Sequence, residues 1–284
     1  NEKVLSGLTG GAAIGHVRYS TFGDRRVSNA QPILIECGHG QIALCHNGNL
    51  VNATELRDDL VREGSIFQTN SDTEVVLHLY AKSSARTAED AIVESVAQVR
   101  GAFSLVMLTP DNLIAVRDPN GFRPLALGRL GKAFVVCSET CAMDLIGATY
   151  EREVEPGEVL VIGPEGLRSY MPFPAAPSSH CVFEHVYFAR PDSNVFGQSV
   201  SEVRTDLGRL LAQESAVDAD VVVPVPDSGL CAAVGYAESS KLPLRMGLIR
   251  NHYVGRTFIH PQSSIRGFKV KVKLNTVRSI IDGK

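Results

Sequence analysis

Three short patches in the first quarter of the chain carry a cation, neutral hydrogen-bond donors and an anion: Gly15-His16-Val17-Arg18-Tyr19, His46-Asn47-Gly48-Asn49 and Ser71-Asp72-Thr73-Glu74. Together they could hold a zwitterionic amino acid and stabilise an oxyanion formed from its side-chain amide. Arg18 can grip an α-carboxylate through two parallel hydrogen bonds, a geometry Lys does not reproduce. Asp72 can pair with an α-ammonium. The Asn47 carboxamide and the Gly48 N–H suit an oxyanion hole because neither titrates, and losing one such donor typically costs about 2.7–4 kcal/mol of transition-state stabilisation. Each patch also has a plainer reading. Asn-Gly is a strong hairpin-turn signal, an isolated Arg is commonly a structural ion pair, and Ser71 with Glu74 spells a capping box. His16 and His46 read as hydrogen-bonded structural residues.

The elements that must position these groups alternate between strand and helix. Gln41 to Cys45 reads as a buried strand that delivers His46-Asn47-Gly48-Asn49 on a polar loop. A helix follows with Asn52 as N-cap and Glu55 three residues on, placing Leu56, Leu60 and Val61 on one face. Further helices are predicted from Ser71 and from Thr87, the latter with Ile92, Val96 and Val99 inward. Phe103–Leu108, Leu113–Val116, Ala133–Cys137 and Val159–Ile162 read as strands, and Asp118-Pro119-Asn120-Gly121 and Glu155-Pro156-Gly157-Glu158 as turns. Strands flanked by paired helices predict a layered α+β sandwich of sheets covered by helices.

The chain has 284 residues, which favours two domains over one. Between 164 and 180 four prolines mix with Ala and Ser, and this stretch is the predicted linker. It separates a first domain, 1–163, from a second, 181–284. In the second, Val203, Leu207, Leu210 and Leu211 mark a helix. Val221 to Gly229 reads as a strand running into a loop, with Leu230 to Glu238 as the next helix, a unit that aims a helix N-terminus at anions. Ser228 stands at that loop, where it also fits a helix N-cap.

A formal charge of −3 gives no general pull toward nucleic acid or membrane, and no apolar run is long enough to span a bilayer. The charge is unevenly spread. From Ser239 to Ile281 there is no Asp or Glu, while nine Lys and Arg fall there. With few aromatics and no recognised nucleic-acid motif, a compact polyanion is the better partner for this segment than RNA or DNA. The six cysteines form no Cys-x-x-Cys pair, and a large disulfide-poor chain reads as cytoplasmic. Cys37, Cys45, Cys137, Cys141 and Cys231 read as core residues.

In order and spacing, the three patches resemble the glutaminase domain of the N-terminal-cysteine (class II) glutamine amidotransferases. The likeness continues through Gln31-Pro32, Asn49-Leu50-Val51-Asn52-Ala53, Arg117-Asp118-Pro119-Asn120-Gly121-Phe122-Arg123-Pro124-Leu125 and Ser138-Glu139-Thr140. Cys181 to Ser193 and Arg250 to Ile259 extend it to the branch whose acceptor is phosphoribosyl pyrophosphate, and away from glucosamine-phosphate synthases and asparagine synthetases. The resemblance implies an N-terminal-nucleophile-hydrolase αββα sandwich followed by part of an α/β phosphoribosyltransferase-type domain. It implies that Arg18 and Asp72 clamp glutamine, that Asn47 and Gly48 form the oxyanion hole, and that a cysteine at residue one is nucleophile and, through its amino group, base. Asn1 stands at that place here, so the glutaminase domain is expected to be incomplete at its N-terminus.

For the second domain the resemblance implies that Tyr253, Gly255 and Arg256 lie on a loop that closes over the phosphoribosyl substrate, and that the Ser228 hydroxyl helps coordinate Mg²⁺. His252 departs from the Arg or Lys expected beside them. The family's paired-Asp, Gly-Thr-Thr signature is not found, so this domain is expected to be incomplete at its C-terminus. In an iron–sulfur branch of the family a cysteine at the place of Cys181 ligates a 4Fe–4S cluster, whereas branches without a cluster also carry Cys there. The implied reaction is transfer of glutamine-derived ammonia to phosphoribosyl pyrophosphate, giving 5-phosphoribosylamine at the start of purine biosynthesis. The implied enzyme is a homo-oligomer inhibited by purine nucleotides, and the 284 residues alone are expected to be inactive. Two other readings stand beside it: a non-catalytic glutamine or nucleotide sensor, and a class II amidotransferase with another acceptor.

Overall fold

Side chains alternate between two faces along a strand, and this period fixes the layers of the first half of the chain. The computed structural model describes residues 7, 9–17, 26–253 and 272–284, and the chain divides into two units, 1–181 and 182–284. The first unit runs β1 (Ile33–Cys37), β2 (Gly40–Leu50), α1 (Ala53–Arg62), α2 (Glu74–Lys82), α3 (Ala88–Val96), β3 (Gly101–Leu108), β4 (Leu113–Arg117), β5 (Ala126–Leu130), β6 (Ala133–Cys137), α4 (Cys141–Ile146), β7 (Thr149–Glu153), β8 (Val159–Gly163) and β9 (Gly166–Tyr170).

Among the described residues these strands form an antiparallel six-stranded sheet, β1-β2-β3-β4-β8-β9, and a three-stranded sheet, β6-β5-β7. Ile42, Leu44, Leu50, Phe103, Leu105, Met107, Ile114, Val116, Val159 and Val161 face one way, onto the buried sides of α1, α2 and α3. Ala115 and Leu160 face the other way and meet Leu125, Leu127 and Val154 of the small sheet's side. The outer face of the small sheet carries Gly128, against which the buried Met143 of α4 packs. The layers are therefore helix, sheet, sheet, helix, the αββα order expected. Fully burying a Leu, Ile or Phe side chain stabilises by about 1.5–3 kcal/mol, so the apolar face of β2 holds its register firmly. A slip of one residue would turn that whole set outward.

Three local expectations are corrected. Asn52 makes no cap hydrogen bond; its buried carboxamide instead donates to Gln98 O and accepts from Arg100 N, tying α1 to the start of β3. The 164–180 stretch is not simply a linker, because β9 lies inside it, with Leu167 and Tyr170 packed on the two cores. Its proline-rich remainder is tied to the 118–125 loop, where Asn120 Nδ2 donates to Pro177 O and the Ser179 and Cys181 N–H groups donate to Asn120 O and Phe122 O. The division falls after Cys181. Of the cysteines read as core, Cys45 and Cys141 are buried and Cys37, Cys137 and Cys231 are half-buried.

The second unit contains a π-helical turn, Glu184–Phe188, the short hairpin β10 (Asn194–Val195) and β11 (Gln198–Ser199), α5 (Val200–Glu214), α6 (Leu230–Ser240), and the pair β12 (Leu248–Arg250) and β13 (Leu274–Thr276). The strand expected at 221–225 is reduced to one parallel bridge, Val222 with Leu244. The leucines that signalled α5 do not mark its buried side. Val200, Arg204, Gly208 and Ala212 are buried, while Leu207, Leu210 and Leu211 are exposed. Glycines explain this: a Cβ on Gly208 would lie 1.9 Å from Ala232 O, and one on Gly235 would lie 1.8 Å from Thr205 O. The helices meet through their smallest residues, backbone to backbone.

Candidate active site

The patch expected on a loop is the end of a strand. His46, Asn47, Gly48 and Asn49 continue β2 and pair with Leu105, Ser104, Phe103 and Ala102 of β3. The hairpin reading of Asn-Gly is thereby excluded. β1 accompanies β2 as far as Ile33 opposite Leu44, and beyond that point the outer edge of β2 has no strand neighbour among the described residues. Side chains take over there. Gln31 Oε1 accepts the His46 N–H at 2.6 Å, and Asp72 Oδ2 accepts the Leu50 N–H at 2.9 Å. Since N–H groups along an antiparallel strand alternate between its two edges, the Gly48 N–H, midway between those two, points out of the same edge. Among the described residues it has no acceptor there, unlike its two neighbours on that edge.

Gly48 has φ of 154°, and a Cβ there would meet Ala102 O at 2.0 Å and His46 Nε2 at 2.7 Å. No other residue type fits without displacement. Asn47 is half-buried, and alternation sends its side chain to the face opposite His46, the side of the small sheet. Across from it, Ser104 Oγ donates to Arg123 O at 3.3 Å.

Asp72 is 5 % exposed and stands just before α2. It borders a cavity of about 210 Å³ with Ala53, Thr54, Arg57 and Asn70. Asn47 and Gly48 are not among that cavity's lining; they are linked to Asp72 through β2, by the Leu50 hydrogen bond. The capping box read at Ser71–Glu74 is not formed. Ser71 Oγ accepts from Thr73 N, and Glu74 reaches back to the Gln68 N–H, the Thr69 N–H and the Thr69 hydroxyl. Burial alone would raise the Glu74 pKa, but hydrogen bonds from His78, Gln68 and Thr69 outweigh it and bring it to about 2. His46 is buried, and burial lowers its pKa against the opposing pull of Asp72. Arg18 lies outside the described residues.

Arg57 and Asn70 at the cavity escaped the sequence reading. Arg57 stacks 4.0 Å over Phe67 and donates to Thr69 O and Ser71 O, so it shapes the turn that presents Asp72. Its signal, an Arg on the polar side of an amphipathic helix, does not differ from that of any solvated Arg.

In the second unit Ser228 is exposed in the turn before α6, whose N-cap is Gly229 with no side-chain cap, so the N-cap reading of Ser228 does not hold. Its neighbour Asp227 pairs with Arg250. Tyr253 is 99 % exposed; Gly255 and Arg256 lie outside the described residues.

Residues 16–144 match a glutamine amidotransferase domain family. The chain is 54% identical to amidophosphoribosyltransferase 2, chloroplastic, of Arabidopsis thaliana over 100% of its own length and 51% of that protein. Over its whole length the chain is similar to amidophosphoribosyltransferases. Against the amidophosphoribosyltransferase of Bacillus subtilis (strain 168) the identity is 51%, over 99% of this chain and 59% of that one. In fold, it matches the glutamine phosphoribosylpyrophosphate amidotransferase of B. subtilis complexed with ADP and GMP with a TM-score of 0.87 at 50% identity, over 94% of this chain and 58% of that one. A solved allosteric regulatory enzyme of purine biosynthesis gives 0.88 at 51% identity, over 95% and 58%. The chain spans about half the length of the curated relatives it matches.

Among the described residues no three His, Cys, Asp or Glu side chains converge as a metal site. Ser228 offers one exposed hydroxyl beside a carboxylate already neutralised by Arg250, and Cys181 one half-buried thiol. Neither makes a Mg²⁺ site or an iron–sulfur site by itself. Among the described residues no helix is long and apolar enough to cross a membrane.

Proposed function

We propose that the protein carrying this chain is an amidophosphoribosyltransferase: it releases ammonia from glutamine and transfers it to phosphoribosyl pyrophosphate, giving 5-phosphoribosylamine, pyrophosphate and glutamate. The observation that carries the reading is the match to amidophosphoribosyltransferases at about half identity across the full chain, together with Gly48 and Asp72 held on one strand edge.

In the proposed glutaminase half-reaction, Asp72 receives the α-ammonium of glutamine and Arg18 its α-carboxylate. The cysteine thiolate implied by the family attacks the amide carbon, and the developing oxyanion accepts hydrogen bonds from the Asn47 carboxamide and the Gly48 N–H. Such donors act most strongly when fixed in advance, and a paired strand supplies that fixity. Ammonia leaves, water resolves the thioester, and glutamate is released. Ammonia then displaces pyrophosphate from C1 of the sugar. Tyr253, Gly255 and Arg256 are proposed to contact that substrate, and the basic 239–281 segment suits its polyanionic character.

The proposal extends to Mg²⁺ with a contribution from Ser228, to a 4Fe–4S cluster using Cys181, to inhibition by purine nucleotides, to a homo-oligomer and to a cytoplasmic location. The cytoplasmic location is supported by the disulfide-poor cysteine usage and the nucleotide inhibition by the neighbour complexed with ADP and GMP; for the others the support is the family resemblance. The test is an assay of the full-length natural protein with glutamine and either phosphoribosyl pyrophosphate or fructose 6-phosphate. Pyrophosphate release that depends on glutamine is expected with the first. Activity with fructose 6-phosphate instead, or glutamine binding without turnover, would overturn the reading.

A further inference from the structure

Four buried or half-buried polar groups meet behind the strand edge, and the proposed chemistry uses none of them: Gln31, His46, Ser71 and Thr73. The Thr73 hydroxyl is at their centre and is 0 % exposed. It lies 3.1 Å from His46 Nδ1, 3.3 Å from Gln31 Nε2, 3.1 Å from Ser71 Oγ and 3.5 Å from Asp72 Oδ1. A hydroxyl has one hydrogen to donate and two lone pairs. Gln31 Nε2 can only donate, and Ser71 can donate, which fills both lone pairs. The Thr73 hydrogen is shared between His46 Nδ1 and Asp72 Oδ1, leaving His46 Nε2–H for Ala102 O at 3.4 Å. The set closes with His46 neutral, in agreement with the lowering of its pKa by burial.

Gln31 completes the bracket. Its Oε1 takes the His46 backbone N–H at 2.6 Å while its Nε2 reaches Thr73, so one carboxamide spans strand and turn. The Asp72 turn is thereby held to β2 at two places flanking Gly48: at His46 through Thr73 and at Leu50 through Asp72 itself.

We propose that Thr73 is a positioning residue of the glutamine site, its hydroxyl setting the distance between the Asp72 carboxylate and the Gly48 N–H. This rests on the assignment of Asp72 and Gly48 to glutamine made above. An ammonium held by Asp72 and an amide oxygen aimed at Gly48 belong to one substrate molecule, so a shift of the turn against the strand misplaces one or the other. A misplacement of about 1 Å can cost on the order of a hundredfold in rate.

The experiment measures glutaminase kcat and KM, with thermal unfolding, in the full-length protein for Thr73→Val, Thr73→Ser and Asp72→Asn. Thr73→Val is expected to lower kcat/KM for glutamine by about 10- to 100-fold, with Thr73→Ser within about threefold of the parent. The inference is overturned if Thr73→Val lowers the unfolding temperature but leaves both kinetic constants unchanged, or if Thr73→Ser is as damaging as Thr73→Val. Should the Val variant not fold, His46→Ala and His46→Gln are compared in the same way. Asp72→Asn separates the two levels: an unchanged KM there removes the glutamine assignment itself, whereas a raised KM with a silent Thr73→Val removes the positioning role alone.

Discussion

Gly48 lies so close to Ala102 of the neighbouring strand that a side chain cannot be added: a Cβ would sit 2.0 Å from the Ala102 carbonyl oxygen, and φ is 154°. Asn47, one residue away, is half-buried and has no such constraint. The two proposed oxyanion donors should therefore fail differently. Asn47→Ala removes one donor and is expected to lower glutaminase turnover of the full-length protein by about a hundredfold or more, with unfolding temperature little changed. A loss below about threefold would take Asn47 out of the hole.

Gly48→Ala should lose activity and stability together, because the strand pair must open to admit the methyl group. Overpacking of this kind costs about 1–3 kcal/mol even where flexible side chains can give way, and here the obstacle is backbone. Urea unfolding of the chain checks it. A variant as stable as the parent would show that β2 and β3 can separate at this point without penalty.

Much of the layer order was legible, and the reasons are local. Ile42, Leu44, Leu105, Met107, Val159 and Val161 alternate in sequence as they do in the core, and α3 begins at Thr87 as expected, where Thr87 also accepts from Asp90 N. What escaped was chemistry in which side chains serve distant backbone. Asn52 and Asn47-Gly48 are local cap and turn signals, yet Asn52 bonds to residues 98 and 100, and Asn47-Gly48 continues a strand because β3 supplies a pairing partner some 55 residues on. Glu74 likewise serves the preceding loop. In the second unit the leucines of α5 signalled the helix but not its buried side, since Gly208 and Gly235 settle the packing and carry no hydrophobic signal.

Glu74 gives a pH prediction. Its carboxylate accepts from Gln68 N, Thr69 N and Thr69 Oγ1, and its pKa falls from 4.5 to about 2. A carboxylate whose folded pKa is depressed contributes stability above its unfolded value and loses it as pH drops toward the folded one. The loop at 68–69 should therefore weaken as pH falls from 4.5 toward 2. Glu74→Gln should be less stable at neutral pH and show a shallower stability loss across that window. Identical pH profiles for variant and parent would remove Glu74 from the acid response.

The helix pair α5 and α6 offers a test in which two effects oppose. In an exposed helix, replacing Gly by Ala stabilises by about 1 kcal/mol. At Gly235 the new Cβ would stand 1.8 Å from Thr205 O, so the helices must part. The contact should win, and Gly235→Ala is expected to lower the urea midpoint. A raised midpoint would mean that propensity outweighs the close approach and that the helices can move apart freely.

Among the described residues Arg117 is the largest fully buried side chain, 1 % exposed, and it organises the loop behind Ser104. Its Nε donates to Arg123 O at 2.9 Å, its Nη2 to Gly121 O at 3.2 Å, and its Nη1 to Val154 O and to Glu153 Oε2 at 3.2 Å. Asp118 beside it accepts from Phe103 N, Asn120 N and Phe122 N. Replacing Arg117 by Met keeps bulk but removes the donors to Gly121 O, Val154 O and Glu153 Oε2, while Arg123 O keeps the Ser104 hydroxyl. Breaking a buried pair from one side costs about 3–5 kcal/mol, and each unsatisfied carbonyl adds to that. Because Arg123 O is also the acceptor for Ser104 Oγ, opposite Asn47 on β2, the Met variant should lose glutaminase turnover as well as stability. The double replacement Arg117→Met with Glu153→Gln should recover part of the stability by removing the charge that Arg117 had balanced. A Met variant unfolding at the parent's urea concentration would show that the loop is held by other contacts and that Arg117 is a spectator.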